Sequence, residues 1–193
     1  MHIHLDIYYF IDDFNRSEIN NLDKKITLIY RNYNNKYDLN IIKNIRDLCR
    51  KNNRKFFISN RLKIAKNLQL DGVYIPSFNK IKNFKNLNVH KNFTILGSAH
   101  NRIEIMNKNN QGCNIIFLAP TFKVKKKNNF LGIIKFNLLT LDIKKNFVAL
   151  GGINEKNLNK LKLLNCRGLA GISWIKKNGL KLIRPFLNNL DTN

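Results

Sequence analysis

The chain has 193 residues, 44% hydrophobic and 10% aromatic, which is enough for one sizeable core and a single domain over 1–193. Its 35 Lys and Arg against 12 Asp and Glu leave a formal charge of +23, yet the basic residues are spread along the whole chain among many Asn and Ile. That spread reads as compositional drift. With no recognition-helix motif, aromatic RNA signature or basic tail, no specific nucleic-acid partner is expected.

At the start, His2 and His4 alternate on one face of a strand, but no carboxylate or third histidine joins them to make a metal site. Met1–Asp6 also lacks the basic-then-apolar pattern of a signal peptide. No stretch approaches the ~20 apolar residues of a membrane span, so a cytoplasmic location and no membrane partner are expected. Short apolar runs then recur: Ile7–Ile11, Ile26–Tyr30, Phe56–Ile58, Val73–Ile75, Phe93–Leu96, Ile115–Leu118, Phe147–Leu150 and Leu169–Ile172. Continuous, β-branched and aromatic, they suit strands buried on both faces.

Segments with helical spacing lie between them. Phe14–Leu22 is weak and reads mostly as loop. Leu39, Ile42, Ile45, Leu48 and Cys49 form one stripe, with Asp38 placed to cap it. Leu62, Ile64, Ala65 and Leu68 mark a shorter helix, Ile103, Ile105 and Met106 another, and Leu158, Leu161, Leu163 and Leu164 a third. A last helix runs from Trp174 through Ile183 to Leu187, interrupted near Gly179 and Pro185. Alternating strands and helices imply a parallel sheet with right-handed crossovers, and eight runs suggest closure into a small α/β (β/α)8 TIM barrel. An open doubly wound sheet is the alternative, but no G-x-G-x-x-G follows the first strand. The longest loop, Pro120–Leu131, falls after the sixth strand, where loops act as lids.

Chemistry concentrates at the strand ends. Gly151-Gly152 after the seventh strand lets backbone N–H groups approach an anion, with Asn154 ready to cap the next helix; an ordinary tight turn is the competing reading. Gly168-Leu169-Ala170-Gly171-Ile172-Ser173 ends with a serine at the first turn of the last helix. Loops after strands seven and eight commonly build a barrel's phosphate site. Ser98 and His100 close the fifth strand, and His100 is a candidate acid–base or else a capping or surface residue. Lys123, Lys125, Lys126 and Lys127 form either a solvated run or a cationic cover for a diphosphate, and Arg31 is a second anion ligand. Asp71, ahead of the fourth strand, reads as structural. Cys49, Cys113 and Cys166 are far apart and read as buried reduced thiols. No carboxylate pair for Mg²⁺ stands out.

Five stretches, taken in order, resemble the thiamine-phosphate synthase/TenI family of (β/α)8 barrels from the second strand to the eighth. They are Asp71-Gly72-Val73-Tyr74-Ile75-Pro76, Leu96-Gly97-Ser98-Ala99-His100-Asn101, Ala119-Pro120-Thr121-Phe122, Ala149–Asn154 and Arg167–Ser173. The resemblance implies thiamine biosynthesis: transfer of hydroxymethylpyrimidine from its diphosphate to thiazole phosphate, with Mg²⁺ assisting a true synthase. It matches Ser98, Gly152, Ile172 and Ser173 to phosphate binding, Lys127 to the lysine that steadies the diphosphate, and Arg31 to the arginine of the second-strand motif. The Gln and Lys flanking that arginine are Ile29 and Tyr33 here, the third strand ends in Ser59-Asn60, and the sixth-loop threonines fall at Val124 and Lys126. Asn60 and Asn79 occupy the metal-ligand positions, and a carboxamide lacks the carboxylate's negative charge. Tyr74-Ile75-Pro76 looks like the TenI-like branch, whose thiazole tautomerases need no metal and use a histidine matching His100. A non-catalytic barrel that only binds a phosphate ligand is a further alternative, and a homo-oligomer is compatible with the sequence.

Overall fold

A computed structural model describes residues 5–33, 38–81, 84, 88–125 and 129–178. The eight apolar runs become strands β1 (Asp6–Ile11), β2 (Ile26–Tyr30), β3 (Phe56–Ser59), β4 (Gly72–Ile75), β5 (Thr94–Ala99), β6 (Ile115–Leu118), β7 (Asn146–Leu150) and β8 (Gly168–Gly171). Each pairs in parallel with its chain neighbours, and β8 closes on β1 with Tyr8 opposite Ala170. The expected barrel is therefore what forms, with all carboxyl ends of the strands at one mouth.

Alternation of side chains divides the strands between two cores. Tyr8, Phe10, Ile29, Phe57, Tyr74, Leu96, Phe117, Val148 and Ala170 cluster inside the barrel. Aromatic rings dominate there and meet edge-on, Tyr8 with Phe117 at 4.9 Å and Phe10 with Tyr74 at 5.2 Å between centroids. Residues of the opposite parity, such as Ile7, Tyr9, Leu28, Ile58 and Val73, pack outward against Ile42, Ile45, Ala65, Ile105 and Phe136 of the helices.

The helices are α1 (Arg16–Asn21), α2 (Leu39–Lys51), α3 (Leu62–Asn67), α4 (Arg102–Asn110), α5 (Gly132–Thr140) and α6 (Ser173–Asn178), with a 3₁₀ helix at Glu155–Leu163. Asp38 caps α2 by accepting from the Asn40 N–H, as expected. Phe14–Leu22 is more ordered than its composition suggests: the Asn15 side chain accepts from the Glu18 N–H and starts α1. The segment carrying Leu158, Leu161 and Leu164 winds as a 3₁₀ rather than an α-helix. Those buried leucines are spaced by three, the 3₁₀ period, while Leu163 is exposed. In α4 the buried side chains are Ile105 and Lys108, and Ile103 and Met106 face outward. The proposed end of the last helix, beyond Asn178, lies outside the described residues, as do His2 and His4.

Arg54 locks the closed end of the barrel. Only 4% exposed, its guanidinium donates to the carbonyls of Ile19, Leu22, Asp23 and Ile26. Asp71, before β4, accepts from the Phe56 N–H at 2.8 Å, a structural role at that same end. The cysteines are free thiols; Cys49 and Cys113 are buried, and burial pushes both thiols up to about 12. Among the described residues no helix is long and apolar enough to cross a membrane.

Candidate phosphate-binding site

At the barrel mouth, β7 runs into Gly151 and Gly152, both with positive φ (89° and 75°). The conformation is required by what lies alongside. A Cβ on Gly152 would sit 2.2 Å from the Phe122 carbonyl oxygen. The loop after β6 is tied down at this point: the Thr121 N–H donates to Leu150 O at 2.8 Å and the Phe122 N–H to Gly151 O at 3.0 Å. The Thr121 hydroxyl in turn accepts from the Leu150 N–H. On the far side of the turn, Asn154 caps the 3₁₀ helix, and its side chain and that of Asn157 both donate to Gly152 O.

This lattice spends the carbonyls of the turn and leaves a donor. Among the described residues no acceptor is paired with the Gly152 N–H. Successive backbone N–H groups in a turn can form an anion-receptive concavity. Gly151, Gly152, Ile172 and Ser173 line one cavity of about 440 Å³, with the exposed Lys123 and Lys125 on its rim. Both strand ends picked out from the sequence thus reach a single space.

The other sequence candidates distribute differently. Ser98 is buried within β5, and its side chain hydrogen-bonds to Tyr74 inside the barrel. His100 lies above that strand's end: its Nδ1 donates to Ala119 O, and its Nε2 stands 3.2 Å from the Ser77 hydroxyl. A carbonyl can only accept, so Nδ1 is the donor there, and in the neutral imidazole Nε2 is then the acceptor. His100 lines a neighbouring cleft with Ala119, Phe130, Leu131 and Lys135. Pro120, which also lines that cleft, lies where a Gly151 Cβ would come within 3.3 Å. Arg31 is held over the Phe10 ring at 4.7 Å and the Tyr33 ring at 5.8 Å. Lys126 and Lys127 lie outside the described residues.

Mg²⁺, implied by the resemblance for a synthase, meets an unsuitable donor set. Asn79 Oδ1 accepts from the Ile81 N–H at 2.8 Å, which turns its Nδ2 toward Asn60 Oδ1, to which it donates. An amide N–H₂ has no lone pair to offer a hard cation, and the facing oxygen is already engaged. The two positions do not fit the ion.

Sequence reasoning missed Lys108. It is 1% exposed, and its ammonium donates to Pro76 O at 2.7 Å, Asn79 O at 3.0 Å and Gln111 Oε1 at 2.8 Å. Burial lowers its pKa. Gln111 adds bonds from Nε2 to Asn79 O and Ile81 O. A spacing of three from Ile105 is the one signal in the sequence, and it is ambiguous because the acceptors come from another loop.

A closed parallel barrel whose last two strands open onto a glycine-lined, lysine-rimmed cavity defines a small (β/α)8 barrel with a candidate anion site at its mouth. The particular family follows from comparison with known proteins. A family model described as "Thiamine monophosphate synthase" matches residues 21–175, and the chain belongs to that family. It is 34% identical over 136 residues to a thiamine-phosphate synthase of Prochlorococcus marinus, covering 69% of this chain and 39% of that protein. A thiamine-phosphate synthase of Flavobacterium johnsoniae is 27% identical over 173 residues, covering 82% and 78% of the two chains. The chain spans about two fifths of the length of the Prochlorococcus relatives it matches. In fold it is similar to thiamine phosphate pyrophosphorylase from Pyrococcus furiosus, with a TM-score of 0.72, 18% identity and 98% of each chain covered.

Proposed function

We propose that the chain acts in thiamine biosynthesis as a transferase, joining hydroxymethylpyrimidine from its diphosphate to a thiazole phosphate. The observation that carries this reading is the cavity shared by Gly151, Gly152, Ile172 and Ser173 at the ends of β7 and β8. The phosphate of the thiazole is assigned to the Gly152 N–H and to Ser173, with Lys123 and Lys125 supplying opposite charge. In the transfer, the bond between the pyrimidine methylene carbon and the diphosphate oxygen breaks, and the electron pair leaves with the diphosphate. The thiazole nitrogen lone pair then forms the new C–N bond. Arg31 and Lys127 are assigned to the departing diphosphate, whose developing charge fixed cations stabilise. Ser98 is assigned to the interior wall that meets the substrate. The free thiols favour a reducing compartment, the cytoplasm.

The test is incubation of the purified protein with both substrates, followed by assay for thiamine phosphate. Product that is lost in Ser98→Ala or Lys127→Ala supports the reading; no product under any metal condition refutes it.

A second reading has one observation in its favour. The Nδ1–Ala119 bond fixes the His100 tautomer and leaves Nε2 as a base, which suits metal-free proton transfer on a phosphorylated thiazole. Isomerisation of a thiazole phosphate that depends on His100, without synthase activity, would select it.

A further inference from the structure

The loops after β3 and β4 are closed onto each other by carboxamides that hydrogen-bond directly. Asn60 adopts φ 59°, a conformation that asparagine tolerates better than most residues, which aims its side chain at the β4 loop. There it accepts from Asn79 Nδ2. Every polar group of Asn79 described above is committed. Its Oδ1 takes the Ile81 N–H, its carbonyl takes Lys108 Nζ and Gln111 Nε2, and its backbone N–H donates to Pro76 O at 3.1 Å. Two carboxylates so placed would repel and require a cation between them; two carboxamides bind each other directly. Beneath them the Lys108 ammonium, surrounded by neutral oxygens, already carries positive charge into the β4 loop. Arg31 adds a second cation at the β2 end, against Tyr33, whose hydroxyl lies 3.3 Å from Ser59 Oγ.

We propose that the Asn60–Asn79 clasp, braced by Lys108 and Gln111, replaces the divalent ion at this mouth, so that the protein's own cations balance the charge of its ligand. Lys108 and Gln111 are positioning residues, acting through the backbone of Asn79. The proposal rests on the reading of the chain as a phosphate-ligand barrel, but its test does not. The probe is Mn²⁺ alone, titrated into the full chain and followed by paramagnetic resonance. The wild type is expected to show no saturable site at the mouth. The Asn60→Asp/Asn79→Asp variant is expected to gain one, at least about tenfold tighter than any wild-type binding, because two carboxylates restore a hard-cation donor set. Should the double variant fail to fold, the single Asn79→Asp, which keeps an acceptor for the Ile81 N–H, gains a weaker site. A wild-type Mn²⁺ site abolished by Asn60→Ala/Asn79→Ala overturns the proposal, and so does failure of the folded Asp variants to acquire one. The metal reports on the mouth whether or not the Gly152–Ser173 cavity accepts phosphate. Failure of inorganic phosphate to bind that cavity would sink the functional reading and leave the clasp standing.

Discussion

Replacing Gly152 by alanine separates backbone strain from steric conflict at the phosphate cavity. Gly132 provides the reference: it too has positive φ (65°), but a Cβ there meets nothing closer than Phe130 Cε2 at 3.9 Å. Gly132→Ala should therefore cost only the left-handed strain, about 1–2 kcal/mol. At Gly152 the new carbon lies 2.2 Å from Phe122 O, 2.4 Å from its carbonyl carbon and 2.8 Å from Lys123 O. These are backbone atoms and cannot swing aside as a side-chain tip would. Forced repacking adds about 1–3 kcal/mol, and disturbing the Phe122 N–H bond to Gly151 O adds about 1 kcal/mol. The expected total is about 3–6 kcal/mol, against an intermediate loss for Gly151→Ala, whose Cβ would meet Pro120 at 3.3 Å. Urea melts measure the stability, and thermal-shift titration with phosphate measures the cavity. Gly152→Ala should lose phosphate affinity by at least about tenfold, equivalent to 1.4 kcal/mol, while Gly132→Ala keeps it. Equal destabilisation of the two variants, with phosphate binding unchanged in both, would refute the reasoning.

Arg54→Met should destabilise the fold by about 4 kcal/mol or more in urea melts, because four carbonyls lose a charged donor and each carries a desolvation cost of about 1–3 kcal/mol; Arg54→Lys should recover only part of it. Lys108→Met should speed hydrogen exchange at the Ile81 amide, since Asn79 loses one of the two side chains that hold its carbonyl; unchanged exchange would remove Lys108 as a brace. The thiols give a pH signature. Their folded pKa, raised to about 12 from an ordinary 9, means that unfolded chains ionise first as pH rises, so stability is present below pH 9 and falls between 9 and 12. The slope is up to about 1.4 kcal/mol per pH unit per thiol, and Cys49→Ala should flatten it. A parallel fall in that variant would assign the loss to other groups.

The barrel was legible because its strands are buried on both faces and so appear as unbroken apolar runs. The strand ends were less so. β5 continues through Gly97-Ser98-Ala99 because Gly97 leaves space for Cys113 Sγ and the Lys108 stem, a tertiary fit that no local pattern reports. Helix α5 escaped notice since Ile133, Ile134, Phe136, Leu138 and Leu139 are apolar all round, with Ile134 and Leu138 exposed, and no stripe stands out. The cavity wall at Gly151, Gly152 and Ser173 could be anticipated from the barrel's own rule about its last two loops. Which space His100 would face could not, because its ring is tied to the Ala119 carbonyl of another loop. Likewise Asn60 and Asn79 were visible as neutral residues, but their mutual bond depends on the Ile81 N–H fixing one amide's orientation.

The amides of the mouth test the account most directly. In ¹⁵N-labelled protein titrated with inorganic phosphate and then thiazole phosphate, the Gly152 and Ser173 amide resonances should shift together along one binding curve. Shifts scattered over surface lysines, or separate curves for Gly152 and Ser173, would contradict a shared anion site.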